Sequence, residues 1–179
     1  GGGVTASGGE AILQAEFVRD WFRACKKEGI HTCLDTNGFV RRYDPVIDEL
    51  LEVTDLVMLD IKHIDDAEHQ KLTKQSNRHI LEFAVYLKEK GVPVWIRHVV
   101  VPGITLNDDY LRQLGHFIGG LTNLKALDVL PYHTMGEVKY ENLGIDYPLK
   151  GVEAATKEQA EWAKNIIMEG LKERLREEI

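Results

Sequence analysis

Residues 94–103 read VWIRHVVVPG, and this stretch decides how the chain is built. β-Branched and aromatic residues dominate it, which favours an extended strand. Apolar side chains fall at both odd and even positions, as they must in a parallel sheet covered on both faces. Pro102-Gly103 then stops the run. Four similar runs lie at residues 4–7, 30–35, 56–61 and 124–130. Their starts are spaced by about 25 to 38 residues, with helical patterns between them. Phe17, Val18, Trp21, Phe22 and Cys25 form one such stripe, closed by Gly29. Asp44-Pro45 signals the cap and first turn of a helix carrying Val46, Ile47, Leu50 and Leu51. Asn77 opens a helix through Ile80, Leu81, Ala84 and Leu87, which Gly91 ends. Tyr110, Leu111, Leu114, Phe117 and Ile118 make a fourth stripe. Thr156 and Gln159 form a capping box for a last helix expected to bury Trp162, Ala163, Ile166 and Ile167. Residues 135–155 lack periodicity and read as a loop. Repeated βα units imply an α/β protein with a parallel sheet, wound as a doubly wound sheet or as a barrel.

The chain has 179 residues and a formal charge of −7, enough for one domain with a real core. That charge argues against nucleic acid or an anionic membrane as partner. No apolar run approaches the roughly 18 residues that span a bilayer, so a cytoplasmic protein is expected. The two cysteines, Cys25 and Cys33, form no CxxC pair and read as small buried hydrophobes. The missing initiator methionine suggests a piece of something longer.

Sites in parallel α/β proteins lie at the carboxyl ends of the strands. Here those ends carry Ser7-Gly8-Gly9-Glu10, Asp35-Thr36-Asn37-Gly38, Asp60-Ile61-Lys62-His63 and Pro131-Tyr132-His133, while Arg97 and His98 interrupt the opening run. Gly8-Gly9 alone fits a tight turn, and Asp35 or Asp60 alone fits a helix cap. Arg97 is costly inside an apolar strand unless compensated; it pairs with Asp60 or Glu10, or holds an anionic ligand. His98 points to the opposite face by strand alternation and reads as structural, and His63 reads as a surface residue. Acids and bases gathered on one rim suit a zwitterion such as an amino acid moiety.

The stretches GGGVTASGGEAILQAEFV, CLDTNGF, LVMLDIK, WIRHVVVPG and LPYH, in that order, resemble the glycyl-radical activating enzymes of the radical S-adenosylmethionine group, the pyruvate formate-lyase activating enzymes in particular. The resemblance implies a partial parallel (βα) barrel, represented here by about five βα units in a single incomplete domain, 1–179. It implies an oxidoreductase that cleaves S-adenosylmethionine reductively at a 4Fe–4S cluster and leaves a glycyl radical on pyruvate formate-lyase. Flavodoxin or a similar carrier would donate the electron. Carried over residue by residue, Gly8, Gly9 and Glu10 would receive the methionyl ammonium group. Asp60, Ile61 and Lys62 would contact the cofactor, with Lys62 on its carboxylate, and His133 would stand beside it. Asp35 and Arg97 would join this site, Arg97 in a less defined role. Asp35, Thr36, Met58 through its carbonyl, and Asp60 would hold a monovalent cation.

One departure stands out. The family's CxxxCxxC triad, which supplies the cluster's thiolates, is absent from the sequence. The first strand and cluster loop are therefore expected to be missing, the 179 residues alone to be unable to assemble the cluster, and residues 4–7 to lie exposed along a sheet edge. Activation of a different glycyl-radical enzyme, a non-catalytic binding role, and a Schiff-base enzyme using Lys62 are the competing readings.

Overall fold

The computed structural model describes residues 2–177. Its elements alternate in chain order. Strand β1 (Gly3–Ala6) is followed by a 3₁₀ turn at Ala11–Gln14 and helix α1 (Ala15–Lys27). Then come β2 (His31–Thr36), α2 (Pro45–Glu52), β3 (Leu56–Asp60), α3 (Asp66–Thr73), α4 (Arg78–Glu89) and β4 (Val94–Val100). The chain continues through α5 (Asp108–Gly119), β5 (Leu124–Pro131), a 3₁₀ turn at Thr134–Gly136, α6 (Glu137–Leu143) and α7 (Lys157–Glu177). The strands form one sheet in the order β1-β2-β3-β4-β5. Each strand follows its predecessor sideways with no reversal, which is barrel-type winding; a doubly wound sheet would reverse at a switch point. Pairing runs parallel from Gly3↔His31, through Cys33↔Leu56, to Val57↔Val94 and Asp60↔Arg97. Strand β1 stands at one end of that order, and Gly3, Val4 and Thr5 are exposed or half-buried, as expected of an edge.

The described residues group into two compact units. The first comprises residues 2–61, 78–97 and 121–128. Phe22, Leu34, Leu50, Val57, Leu59, Phe83, Leu87, Val94 and Ile96 are completely buried in it. Strands supply one layer of this core and α1, α2 and α4 the other. Asp44 caps α2, accepting hydrogen bonds from the Val46 and Ile47 amides, with Pro45 at the first helical position. Gly38 has a φ of +72°, and a side chain there would meet the Leu59 and Phe83 side chains. Only glycine lets the chain leave β2 so tightly against this core.

The second unit comprises residues 62–77, 98–120 and 129–177. Its main contact is α5 on α7, where a Cβ on Gly115 would run into the Ile167 carbonyl and one on Gly170 into the Arg112 carbonyl. Leu111, Leu114, Ile118, Ala163 and Ile167 are buried around this crossing. The Thr156–Gln159 capping box forms as expected, at 2.8 and 3.1 Å.

Several expectations are corrected. Helix α1 buries Val18, Phe22 and Cys25, spaced i, i+4, i+7, and leaves Phe17 66% and Trp21 37% exposed. Helix α7 buries Ala160, Ala163, Ile167 and Gly170, while Trp162 is 41% exposed. Trp162 lies off the stripe of Ala160, Ala163, Ile167 and Gly170 that the helix buries. Residues 135–155 contain α6 rather than only loop, and α3, which buries His69 alone, gave no apolar stripe to read. His63 is 1% exposed, its Nδ1 accepting from the Asp65 amide and its Nε2 3.4 Å from the Ile104 carbonyl.

Candidate functional site

Register and alternation create the candidate site in the first unit. Asp35, Met58 and Trp95 lie in one lateral row across β2, β3 and β4, and Asp60 faces Arg97 two rows further on, on the same face. Successive side chains in a strand point to opposite faces. Leu34, Val57, Leu59, Val94 and Ile96 therefore share the packed face and are completely buried. The other face is open: Trp95 is 40% exposed, and Asp35, Met58, Asp60 and Arg97 are half-buried.

On that face Arg97 binds two carboxylates at once. Its Nε donates to Asp60 Oδ1 at 2.8 Å. Its Nη1 donates to Asp35 Oδ2 at 3.3 Å, and Nη2 donates to Asp35 Oδ1. Burial opposes the Arg97 charge, but hydrogen bonding and attraction from Asp60 and Asp35 more than offset this, and its pKa rises. The sequence left Arg97 open between pairing and ligand binding; the pairing is present, with Asp60 as expected and with Asp35 in place of Glu10. The planar fork reaches both acids because guanidinium geometry matches carboxylates.

Two further contacts join the ends of β1 and β2. Ser7 Oγ donates to Asp35 Oδ2 at 3.1 Å. Glu10 receives Thr36 Oγ1 at 2.5 Å on Oε1 and the Asn37 amide at 2.8 Å on Oε2. Between these pins, Gly8 and Gly9 take φ values of +90° and +53°. Thr36 points to the packed side, 3% exposed, and accepts from the Gly38 amide. The structure thus brings Glu10, Asp35, Thr36, Asp60 and Arg97 together with Gly8 and Gly9. Ile61 is buried and donates its amide to the Arg97 carbonyl at 3.0 Å. Lys62 and His133 belong to the second unit, Lys62 half-buried two positions after β3 and His133 exposed two positions after β5. Ser7 and Asn37 were not singled out by the sequence reading, although both stand inside the quoted motifs.

Three carboxylates against one guanidinium leave this rim acidic, suited to a ligand that carries positive charge. Residues 1–114 match the profile of the Radical SAM superfamily. A pyruvate formate-lyase 1-activating enzyme of Escherichia coli (strain K12) is 64% identical over 167 residues, covering 93% of this chain and 68% of that protein.

The chain belongs to the radical SAM superfamily, among its pyruvate formate-lyase activating enzymes.

A second relative in this family, the pyruvate formate-lyase-activating enzyme of Listeria monocytogenes, is 48% identical over 171 residues, with 93% of this chain and 69% of that protein covered. The crystal structure of a domain of pyruvate-formate lyase-activating enzyme from Bacteroides vulgatus shares the fold, with a TM-score of 0.76 at 24% identity over 95% of each chain. Radical SAM proteins use a 4Fe–4S cluster, which thiolates must hold. The thiols of this sequence do not fit that group. Cys25 and Cys33 are both buried, on α1 and β2, and burial pushes the Cys33 thiol up, away from thiolate. Among the described residues no three His, Cys, Asp or Glu side chains form a metal-binding group. The monovalent-cation residues are partly engaged: Arg97 already pairs with Asp35 and Asp60, and the Thr36 proton goes to Glu10. No helix among the described residues is long and apolar enough to cross a membrane.

Proposed function

We propose that this chain carries the S-adenosylmethionine-binding strand ends of an enzyme that activates pyruvate formate-lyase by forming a glycyl radical. In such an enzyme a 4Fe–4S cluster would supply the electron for cofactor cleavage, and none of its ligands is assigned to Cys25 or Cys33. The observation that carries the reading is the acidic rim of Asp35 and Asp60 anchored by Arg97 beside the Gly8-Gly9 turn. Carboxylates at an open sheet face attract the ammonium and sulfonium charges of the cofactor, and glycines without side chains let it approach the protein backbone.

In this reading Gly8, Gly9, Glu10, Asp35, Asp60, Ile61 and Arg97 shape the methionyl site. Lys62 and His133 keep the roles given by the family resemblance, as carboxylate partner and cofactor neighbour. Asp35, Thr36, Asp60 and the Met58 carbonyl would admit a monovalent cation only if Arg97 shifts. A soluble one-electron carrier such as flavodoxin is the proposed donor, and the cytoplasm the proposed location.

Calorimetry with S-adenosylmethionine tests the reading on the chain and on Asp60→Ala and Lys62→Ala. Saturable heat in the unsubstituted chain that falls about tenfold or more in affinity on each substitution is expected, since each removes a charge-assisted hydrogen bond. Equal, weak heats from all three proteins overturn it.

A further inference from the structure

Glu10 matches a motif whose carboxylate is expected to meet the cofactor's ammonium group, yet its geometry gives it another task. Oε1 accepts from the Thr36 hydroxyl at 2.5 Å and from the Ile12 amide at 3.3 Å. Oε2 accepts from the Asn37 amide at 2.8 Å. A carboxylate has about four lone-pair positions, and three are filled by protein donors. Two of these donors, Thr36 and Asn37, sit at the exit of β2, 26 and 27 positions away along the chain. The third, Ile12, lies in the first turn leading into α1. Thr36 Oγ1 accepts from the Gly38 amide at 2.9 Å and donates its own hydrogen to Glu10.

The loop of residues 7–10 is therefore fastened to β2 twice, by Ser7 to Asp35 at one end and by Glu10 to Thr36 and Asn37 at the other. Gly8 and Gly9, with no atom within 4 Å of where a side chain would stand, span the gap between the fastenings. Left-handed glycines are mobile unless their neighbours hold them. We propose that Glu10 is a positioning residue: its carboxylate staples the Gly8-Gly9 turn to the end of β2 and fixes the backbone that the cofactor meets, without itself ligating the cofactor. The proposal rests on the cofactor reading above and reassigns one residue within it.

The test uses Glu10→Gln, Thr36→Val and their double variant, with Thr36→Ser as the substitution that keeps the hydroxyl. In Glu10→Gln one oxygen becomes an amide NH₂ that cannot accept from Asn37. Amide hydrogen exchange in the free chain should then speed up at least tenfold at Asn37 in Glu10→Gln and at Gly38 in Thr36→Val, while the α4 amides are unchanged. Thr36→Ser should match the unsubstituted chain. Calorimetry then compares S-adenosylmethionine with its analogue lacking the α-amino group. A staple predicts that Glu10→Gln weakens both by the same factor, about tenfold, and that the double variant binds no worse than the weaker single variant. Loss confined to S-adenosylmethionine makes Glu10 a ligand and overturns the proposal. So does unchanged exchange at Asn37, or lowered stability with both affinities intact. If the unsubstituted chain binds neither compound, the cofactor reading fails, and the exchange experiment still decides whether Glu10 holds the loop.

Discussion

Arg97 and Asp60 are register partners on β4 and β3, and the Arg97 Nε–H donates to Asp60 Oδ1 at 2.8 Å. The same guanidinium reaches across β3 to Asp35 on β2. One cation thus bridges two acids whose side chains are only 19% and 20% exposed, offsetting one of their two charges. Removing it would leave both carboxylates facing each other in a partly desolvated space. Arg97→Met should cost about 3 kcal/mol, the range for breaking a buried pair. Arg97→Lys should recover part of this, because an ammonium cannot reproduce the fork. Arg112→Ala, whose partners Glu169 and Glu173 are about half exposed, should cost less than about 1 kcal/mol. Urea midpoints at constant m-value check all three, and an Arg97→Met cost no larger than that of Arg112→Ala would refute the shared-counterion account.

How far the sequence carried the reader depends on the range of the contact. Asp35 and Asp60 were legible because strand runs end where apolar residues stop, and a strand end is a local property. The partner of Arg97 was not, since it depends on lateral register: Asp60↔Arg97 follows only once Val57 is set against Val94. The anchors of Glu10 were hidden for the same reason, its donors Thr36 and Asn37 lying 26 and 27 positions downstream. His63 looked like a surface residue among Lys62, Asp65 and Asp66, but Asn77 folds back and donates to the His63 and Ile64 carbonyls, closing the segment over it. Phe17 and Trp162 show the limit of counting apolar residues on a helix. A stripe says which side can be buried, and the neighbouring element decides how wide the buried strip is.

The crossing of α5 and α7 depends on two glycines whose hydrogens face backbone carbonyls, Gly115 toward Ile167 and Gly170 toward Arg112. Gly115→Ala and Gly170→Ala should each cost about 2 kcal/mol through overpacking, despite alanine's better helix propensity. Both push the same two helices apart, so the double variant should cost less than the sum. Thermal unfolding of the three variants measures this. Stabilisation by either alanine would mean that the helices lie further apart than described.

At Gly9 the prediction separates backbone strain from crowding. Its φ is +53° with no atom within 4 Å of a would-be Cβ, so an added methyl group meets nothing. Gly9→Ala should still destabilise by about 1 kcal/mol, the cost of a left-handed conformation for a residue with a Cβ. Gly9→Asn should cost less, because asparagine tolerates that region. Calorimetric S-adenosylmethionine binding should follow the same order, glycine above asparagine above alanine. If alanine and asparagine prove equal in both measurements, the turn does not hold its left-handed form in solution.

Protonation of His63 should make stability fall on mild acidification. Burial holds its pKa below the ordinary 6.5, against smaller opposing effects from the Ile104 carbonyl and from Asp65 and Glu68. The unfolded chain binds a proton on this residue near pH 6.5, while the folded chain resists until the pH reaches its depressed value. Above pH 6.5 both states are neutral and the contribution to stability is complete. Between 6.5 and the lower folded value the unfolded state holds more protons, so stability declines as pH falls; below that value the slope from this residue vanishes. His63→Asn keeps an acceptor for the Asp65 amide and has nothing to titrate. Its urea-derived stability should be lower than that of the unsubstituted chain at pH 8 but flatter between pH 6.5 and 5. An identical slope in both proteins over that window would mean that another group produces the acid sensitivity and that His63 accepts its proton as readily in the folded chain as in the unfolded one.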